Sequence, residues 1–468
     1  MTSEQTKTFD LSASFKAYDV RGIVGDSITA EIVEAVGAAF VDVLQLEGQT
    51  VLVGGDMRPS SPEFSKAFAD GAATRGANVQ LLDLISTDEL YFACGSLNAA
   101  GATFTASHNP AEYNGIKMSK PGAQPISSES GLKEIQALAE QYLNAGSIPP
   151  APTRGLIGVH DVLKDYAEYL RQLVDLSGSR PLKVVVDAGN GMAGLTTPAV
   201  LGDTLLPKLP FEIIPLYFEL DGSFPNHPAN PLEPENLRDL QAAVIKHGAD
   251  IGLAFDGDAD RCFIVDERGE IVSPSVLTGL IASRELAREP GSAVIHNLIT
   301  SRAVPELVTE LGGTPVRTRV GHSYIKATMA ETDAVFGGEH SGHFYFRDFW
   351  RADSGMLAAL HVLAALAETE RPLSDLLAEF SRYVATGEIN STVADQAAVV
   401  AEIERDYGSR DGVSLDHLDG LTVTHADWWF NVRASNTEPL LRLNAEAADE
   451  QQMTSLRDRV LALIRNED

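Results

Sequence analysis

Cysteine, basic residues and long apolar runs are all scarce in this 468-residue chain, and each shortage excludes a class of protein. Two cysteines, Cys94 and Cys262, cannot build the disulfide framework of a secreted domain, so a cytoplasmic location is expected. No apolar run approaches the roughly 18 residues of a membrane-spanning helix, and residues 1–20 lack the apolar core of a signal peptide. Only 36 Lys and Arg oppose 66 Asp and Glu, and a formal charge of −30 repels nucleic acid and anionic membranes. We therefore expect neither as a partner, and any bound phosphate must be held by local basic groups and backbone N–H groups.

Length and hydrophobic pattern together predict four domains. A chain of this length exceeds what one hydrophobic core supports. Short apolar, β-branched runs alternate with helical periodicity up to about residue 105, again after Pro181 and again after Pro274, which is typical of βαβ units. From Leu376 onward, strands cluster before a final helix. The prediction is an α/β protein of three similar mixed α/β domains with layered sheets and helices, followed by a C-terminal α+β domain. The predicted boundaries are 1–155, 156–260, 261–375 and 376–468.

The first loop that carries chemistry is Thr105-Ala106-Ser107-His108-Asn109-Pro110, at the end of the predicted strand Ala102–Thr105. Asn-Pro here and Asn-Gly a few residues later indicate a loop, and in parallel α/β domains such strand ends bind ligands. The Ser107 hydroxyl can act there as a nucleophile if neighbours lower its proton affinity and a cation steadies the attacked phosphate; Lys117 and His108 are candidates for that help. The alternative is an ordinary turn in which Ser107 bonds the backbone, which is the commoner outcome for an isolated Ser-His pair.

The second loop is Asp256-Gly257-Asp258-Ala259-Asp260-Arg261, directly after the predicted strand Ile251–Phe255. Three carboxylates at alternate positions repel one another unless a cation lies between them. The spacing begins like a calcium loop and places Glu267 at its twelfth position, but Arg261 occupies the sixth position, where that loop needs glycine. A Mg²⁺ site is therefore the favoured interpretation, and a solvated acidic turn is the alternative.

Two further polar loops follow predicted strands. Residues 337–343 contain Glu339, Ser341 and two histidines on a glycine-rich loop, and such groups can bind vicinal sugar hydroxyls by paired hydrogen bonds. Residues 433–439 begin with Arg433 and add two hydroxyls and an amide, a composition that resembles a phosphate cradle, to which Arg442 can contribute. Taken alone, the loop of residues 337–343 is of a common kind, and residues 433–439 are as often an ordinary turn as a phosphate site.

Taken together, the four loops resemble the signature loops of the α-D-phosphohexomutases. They occur in that family's order, one in each expected domain, so the resemblance covers nearly the whole chain. Residues 17–22, 55–61 and 320–326 also match. Thr105 before Ala106, and His340 between Glu339 and Ser341, are more similar to the bacterial phosphomannomutase/phosphoglucomutase branch than to phosphoglucosamine mutases.

The resemblance implies a reaction, a cofactor and residue roles. The implied reaction interconverts mannose 6-phosphate and mannose 1-phosphate, with glucose phosphates as further substrates, through a phosphoserine enzyme and a hexose 1,6-bisphosphate in a central cleft between the domains. The residues implied to carry out catalysis are Ser107, Lys117, Arg21 and His343. The residues implied to hold Mg²⁺ are Ser107, Asp256, Asp258 and Asp260. The residues implied to bind the hexose phosphate are Tyr18, Arg261, His322, Glu339, Ser341, His343, Arg433, Ser435, Asn436, Thr437 and Arg442.

Other functions remain as alternatives. The same family includes phosphoglucomutases and phosphoglucosamine mutases, and a protein that binds sugar phosphates without catalysis would share the fold. Such a binding protein would not need Ser107 or the three aspartates of residues 256–260, which are all present. A phosphatase would need a site that admits water. The sequence makes no prediction of oligomeric state.

Overall fold

The first part of the chain alternates strands with helices, some of which are capped by side chains in their first turns. The computed structural model describes residues 8–434 and 440–465, with the backbone alone at 322 and 323. Thr29 accepts a hydrogen bond from the backbone N–H of Ile32 at the start of one helix, and Ser86 and Glu89 form a capping box at another. The elements are β1 Val20–Ile23, α1 Ala30–Leu44, β2 Thr50–Gly55, α2 Ser61–Thr74, β3 Asn78–Leu84, α3 Thr87–Ser96, β4 Ala100–Phe104, β5 Tyr113–Lys120, β6 Gln124–Pro125, α4 Leu132–Ala145 and β7 Ile157–Val159.

These strands form a mixed sheet in the order β1-β5-β4-β2-β3-β7, with β6 paired to β5. Strand β2 is parallel to β3 and β4, whereas β5 is antiparallel to both β4 and β1. The carboxyl ends of β2 and β4 therefore meet at one edge, which places the Ser107 loop beside the residues that follow β2. Phe40, Phe64, Phe68 and Phe104 pack in the core beneath this edge.

The second part of the chain repeats this design around a strand that is buried on both faces. Its elements are α5 Leu163–Leu173, β8 Leu182–Asp187, α6 Ala193–Val200, β9 Phe211–Leu216, α7 Arg238–His247, β10 Ile251–Phe255, β11 Cys262–Asp266 and β12 Ile271–Val272. The sheet order is β12-β11-β10-β8-β9, and every residue of β10 and β11 is buried. The antiparallel β10–β11 hairpin holds the acidic loop at its tip. Because this sheet continues through Val272, we place the end of the second domain there as a proposal; the sequence-based boundary lay after Asp260.

The third part contains a parallel strand group and a wholly buried helix. Its elements are α8 Pro274–Arg288, β13 Ala293–Asn297, α9 Ala303–Glu310, β14 Thr314–Thr318, α10 His322–Thr332, β15 Phe336–Gly338, β16 Phe344–Phe346, β17 Ala352–Asp353, α11 Gly355–Ala367 and α12 Leu373–Leu377. Strand β13 lies between β14 and β15 and is parallel to both. Strands β16 and β17 pair antiparallel, and every residue of α11 is buried.

The last part is an antiparallel sheet flanked by helices, the architecture of the predicted α+β domain. Its elements are β18 Val384–Thr392, α13 Gln396–Gly408, β19 Ser414–Asp416, β20 Leu421–Thr424, β21 Trp428–Ala434, β22 Leu440–Ala447 and α14 Glu450–Arg465. The strand order is β18-β22-β21-β20-β19. Ile403 and Tyr407 of α13 and Val460 of α14 share one apolar cluster with strand residues such as Phe430, so both helices cover the sheet.

The described chain divides into two compact units. The first comprises the chain up to Val272 together with Ser341–Ser374, and it carries the Ser107 loop, the acidic loop and His343. The second comprises Ser273–His340 and the chain from Asp375, and it carries Glu339 and Arg433. Across the ranges that the structure describes, none of the helices combines the length and the apolar character needed to cross a membrane.

Candidate active site

Ser107 lies in the loop directly beyond β4 with an unusual backbone conformation. Its φ of 50° is left-handed, which is uncommon for a residue other than glycine and is concentrated at functional sites. The side chain is buried, and its hydroxyl donates a hydrogen bond to Oδ2 of Asp256 at 2.7 Å. The same oxygen lies 3.1 Å from Nδ1 of His108. The hydroxyl therefore faces a carboxylate and an imidazole, the neighbours that a nucleophilic oxygen needs.

The tip of the β10–β11 hairpin presents three buried carboxylates. One oxygen from each of Asp256, Asp258 and Asp260 lies within 4.8 Å of the others. Within the described residues, Oδ1 of Asp258 and Oδ1 of Asp260 make no hydrogen bond although both are buried. Leaving buried carboxylate oxygens without a partner is costly, and clustered carboxylates are the donor set that hard divalent cations prefer. These residues therefore fit a metal ion.

Two cations, the half-buried Lys117 and the buried Arg261, balance this negative charge. Lys117 projects from β5 and places Nζ 2.7 Å from Oδ2 of Asp258 and 2.6 Å from Oδ2 of Asp260. Arg261 donates from Nε to Oδ2 of Asp256 at 2.9 Å, and its Nη2 lies 3.5 Å from Oγ of Ser107. Burial disfavours the ammonium of Lys117, but its two carboxylate neighbours outweigh burial and raise the pKa of Lys117 well above its ordinary value. Lys117 is therefore a cation in this site.

Positive charge also surrounds His108. Nη2 of Arg261 lies 2.5 Å from Nδ1 of His108. Burial, and then the charge of Arg261, lower the pKa of His108 far below its ordinary value, so the ring is neutral and Nδ1 can accept a hydrogen bond. Arg21, on β1, donates to Oδ1 of Asn109 at 2.6 Å and to Asp19 at 2.8 Å. Arg21 thus contacts the Ser107 loop through the residue two positions after the serine.

His343 extends the acidic cluster on a further side. Its Nε2 lies 3.8 Å from Oδ1 of Asp260, and its Nδ1 lies 2.9 Å from Oγ of Ser341. Asp353, on β17, joins Asp260 and His343 in a second group whose ligand atoms lie within 4.8 Å of one another. Sequence reasoning missed Asp353, because a two-residue strand with one acidic residue carries no local signal of a site. Tyr18 is half-buried in the segment before β1.

The second unit positions the remaining predicted residues. Oε1 of Glu339 accepts hydrogen bonds from Nδ2 of Asn297 at 3.1 Å and from the backbone N–H of Gly321 at 3.2 Å. Arg433 donates to Oε2 of Glu388 at 2.9 Å, and Arg442 lies 3.7 Å from the other oxygen of that carboxylate.

Glu388, on β18, therefore orients Arg433 and Arg442, the two arginines predicted to bind phosphate. His322 begins α10, but its side chain is outside the described residues. The predicted residues that lie wholly outside them are Ser435, Asn436 and Thr437.

A buried serine hydroxyl set among carboxylates and cations on consecutive α/β domains is the arrangement expected of a phosphoryl-transfer enzyme. Sequence models of the phosphoglucomutase/phosphomannomutase family match the chain in four consecutive parts. Its alpha/beta/alpha domains I, II and III match residues 12–145, 164–269 and 274–383, and its C-terminal domain matches residues 388–463. The chain belongs to this family and is an isomerase, an intramolecular phosphotransferase. The predicted four-domain α/β fold is confirmed.

Individual relatives are similar along almost their full length. A protein of Escherichia coli K12 named phosphomannomutase is 39% identical over 457 residues, which cover 97% of this chain and 99% of that protein. A Xanthomonas campestris protein named phosphohexose mutases is 41% identical over 435 residues, covering 92% and 94%. A solved phosphoglucomutase/phosphomannomutase family protein from Burkholderia thailandensis is 33% identical, covers 97% of this chain and 98% of its own, and has a TM-score of 0.84.

Proposed function

We propose that this chain is a phosphomannomutase that interconverts mannose 6-phosphate and mannose 1-phosphate. The observation that carries the proposal is the Ser107 hydroxyl, buried and 2.7 Å from Asp256 within a cluster of three carboxylates. The relatives named phosphomannomutase, similar over nearly their whole length, support the sugar. Phosphoglucomutase activity is the second candidate, since the family's name includes both sugars.

Ser107, Asp256, Asp258 and Asp260 are the residues that would hold Mg²⁺. When bound there, the ion supplies positive charge against phosphoryl oxygens. The two carboxylate oxygens that make no hydrogen bond within the described chain favour this assignment. Catalysis of phosphoryl transfer depends mainly on positioning and on charge of this kind.

The chain's own residues account for the transfer. A free hydroxyl of the hexose phosphate attacks the phosphorus carried by Ser107, the bond from Oγ to phosphorus breaks, and a hexose 1,6-bisphosphate forms. After the bisphosphate has turned over, Oγ attacks the phosphorus of its other phosphate, the bond from that phosphorus to the sugar oxygen breaks, and the sugar oxygen takes up a proton while the phosphoryl group returns to the serine. Nη2 of Arg261, 3.5 Å from Oγ of Ser107, stabilises the charge that develops there. An unphosphorylated enzyme would accept its first phosphate from added hexose 1,6-bisphosphate.

Proton transfer falls to Lys117 and His343 in this proposal. A guanidinium does not give up its proton in proteins, so Arg21 contributes charge and holds the loop through Asn109. Lys117 and His343 both lie against the acidic cluster, at 2.6 Å and 3.8 Å from Asp260. As a cation, Lys117 can donate a proton to the sugar oxygen that leaves, and His343 can accept one from the hydroxyl that attacks.

The remaining predicted residues are proposed to bind substrate. Glu339 and Ser341 would bind sugar hydroxyls in either orientation of the hexose, with Tyr18 and His322 lining the site. The residues proposed to hold the phosphate that is not reacting are Arg433, Ser435, Asn436, Thr437 and Arg442. Glu388 supports this role, because it holds Arg433 at 2.9 Å and lies near Arg442.

A coupled assay with mannose 1-phosphate and glucose 1-phosphate, measured side by side, tests the proposed function. We expect mannose phosphate to be turned over at least as well as glucose phosphate, glucosamine phosphate to be turned over poorly, and Ser107→Ala to be inactive on all three. A clear preference for glucosamine 6-phosphate would overturn the choice of sugar. Full activity of Ser107→Ala would overturn the mechanism.

A further inference from the structure

Arg58 is wholly buried and binds the backbone of the Ser107 loop. Arginine is rarely buried in this way, and a buried guanidinium needs partners for its donors. Nη1 donates to the carbonyl oxygens of Pro110 at 2.8 Å and Tyr113 at 2.9 Å. Nη2 donates to the carbonyl oxygens of Ser107 at 3.0 Å and Asn109 at 2.7 Å. One side chain therefore binds four carbonyl groups of a single short loop.

The conformation that Arg58 stabilises is a costly one. A left-handed backbone at a residue other than glycine is strained and persists only where the surroundings enforce it. Ser107 has such a backbone, and Arg58 holds its carbonyl directly. The acidic loop packs closely against the same carbonyl group, since a Cβ placed on Gly257 would lie only 2.5 Å from the carbonyl oxygen of Ser107.

Arg58 is itself fixed from two sides. The carboxylate of Asp56 accepts hydrogen bonds from the backbone N–H of Arg58 at 3.0 Å and from its Nε at 3.3 Å. The ring of Phe224 lies over the guanidinium, with its centroid 5.1 Å away. Asp56 also contacts Thr105, whose Oγ1 accepts the backbone N–H of Ser107 at 2.9 Å. The Asp56–Arg58 pair thus holds the loop on both sides of the serine.

We propose that Arg58 is a positioning residue that keeps Oγ of Ser107 in line for phosphoryl transfer. The inference rests on the proposed function of Ser107 as the phosphoryl carrier. Arg58 supplies no proton and contacts no reacting atom; it determines where the loop places the hydroxyl. A displacement of about 1 Å in a reacting group can cost on the order of a hundredfold in rate. The loss should therefore appear in kcat, while KM stays at its parental value because the substrate-binding residues are untouched.

Arg171 offers a matched control. Its guanidinium also donates to three backbone carbonyls, those of Val200 at 2.7 Å, Pro207 at 2.5 Å and Gly202 at 3.0 Å. These carbonyls belong to the second α/β domain and not to the Ser107 loop. Arg171→Ala removes the same kind of bond, so it reports what losing a structural arginine does by itself.

The experiment compares Arg58→Ala, Arg58→Lys and Arg171→Ala with the parent by steady-state kinetics, with and without guanidinium ion at concentrations that leave the parent folded. We expect Arg58→Ala to lose about a hundredfold in kcat with KM unchanged. Added guanidinium should recover part of that rate, because it can occupy the space of the missing Arg58 side chain and donate to the same carbonyl groups. Arg58→Lys should remain impaired, since an ammonium cannot reproduce the planar fork. Arg171→Ala should keep the parental kcat.

Two outcomes overturn the inference. The first is a parental kcat in Arg58→Ala. The second is a loss of kcat in Arg58→Ala that guanidinium does not reverse and that Arg171→Ala shows to the same extent. Should Arg58→Ala fail to fold, Arg58→Lys decides, and a parental kcat in that variant counts against positioning. Mass spectrometry of the parent separates the two hypotheses. A parent that carries no phosphate on Ser107 even after incubation with hexose 1,6-bisphosphate overturns the proposed function together with this inference, whereas a phosphorylated, active parent with an equally active Arg58→Ala overturns the inference alone.

Discussion

Lys117→Met should destabilise the protein in the absence of metal and make Mg²⁺ more protective. Nζ of Lys117 lies 2.7 Å and 2.6 Å from carboxylates of Asp258 and Asp260 that are 1% and 2% exposed. Removing one partner of a buried ion pair costs about 3–5 kcal/mol, because the other charge stays buried without compensation. With methionine at position 117, the three carboxylates would keep the ion pair with Arg261 but lose the charge of Lys117, so a divalent cation should bind more tightly.

Calorimetric melting in EDTA and in Mg²⁺ measures both effects. At about a hundred times its dissociation constant, Mg²⁺ should return about 2.7 kcal/mol to the free energy of unfolding. Lys66→Met is the control, since Lys66 is 80% exposed and lies 3.9 Å from Asp70, an ion pair worth about 0–1 kcal/mol at most. If Lys117→Met and Lys66→Met melt alike in EDTA, and Mg²⁺ protects both equally, the carboxylates are not held together by Lys117 and the reasoning is refuted.

Three further predictions concern the metal, the phosphate and pH. Asp258→Asn should weaken Mg²⁺ binding in a calorimetric titration without unfolding the chain, and unchanged affinity would place the metal elsewhere. Arg433→Ala should remove the proposed charge-assisted hydrogen bond to phosphate, which is worth about 1.5–3 kcal/mol, so kcat/KM should fall roughly ten- to a hundredfold, mainly through KM. Bisphosphate should also be released into solution. Parental kinetics without bisphosphate release would argue that this loop is only a turn. Burial raises the pKa of Glu89 from 4.5 to about 8, so the folded state favours the protonated acid. Stability from Glu89 should therefore be lost as pH rises from 4.5 to about 8, by at most about 1.4 kcal/mol per pH unit. Thermal melting of Glu89→Gln should show a flatter pH dependence, and a parental slope would contradict the assignment.

The fold was predictable where local hydrophobicity determines it. Strand Ile251–Phe255 has the predicted bounds, because a buried apolar run marks it. Strand Val384–Thr392 was missed, because its side chains are mostly exposed or half-buried and no apolar run marks it. That strand is held by its ladder with β22, which is a tertiary interaction without a local signal.

The candidate site was predictable where chemistry follows a strand directly. Ser107 comes just after β4, and the three aspartates come just after β10, in loops marked by glycine or proline. The sequence analysis assigned no role to Arg58 or Asp353, although residues 55–61 match the family. Arg58 acts on a loop 49 residues away, and only the parallel pairing of β2 with β4 brings the two together.

Transfer of a labelled phosphate to Ser107 is the decisive test of the phosphoserine mechanism. Enzyme freed of its phosphate would be incubated with hexose 1,6-bisphosphate carrying ¹⁸O in its phosphates and then digested for peptide mass spectrometry. We expect labelled phosphate on Ser107. The label should leave the serine again when unlabelled mannose 6-phosphate is added, and it should then appear in the sugar phosphate. Turnover of mannose phosphate while Ser107 stays without label would show that Ser107 does not carry the phosphoryl group.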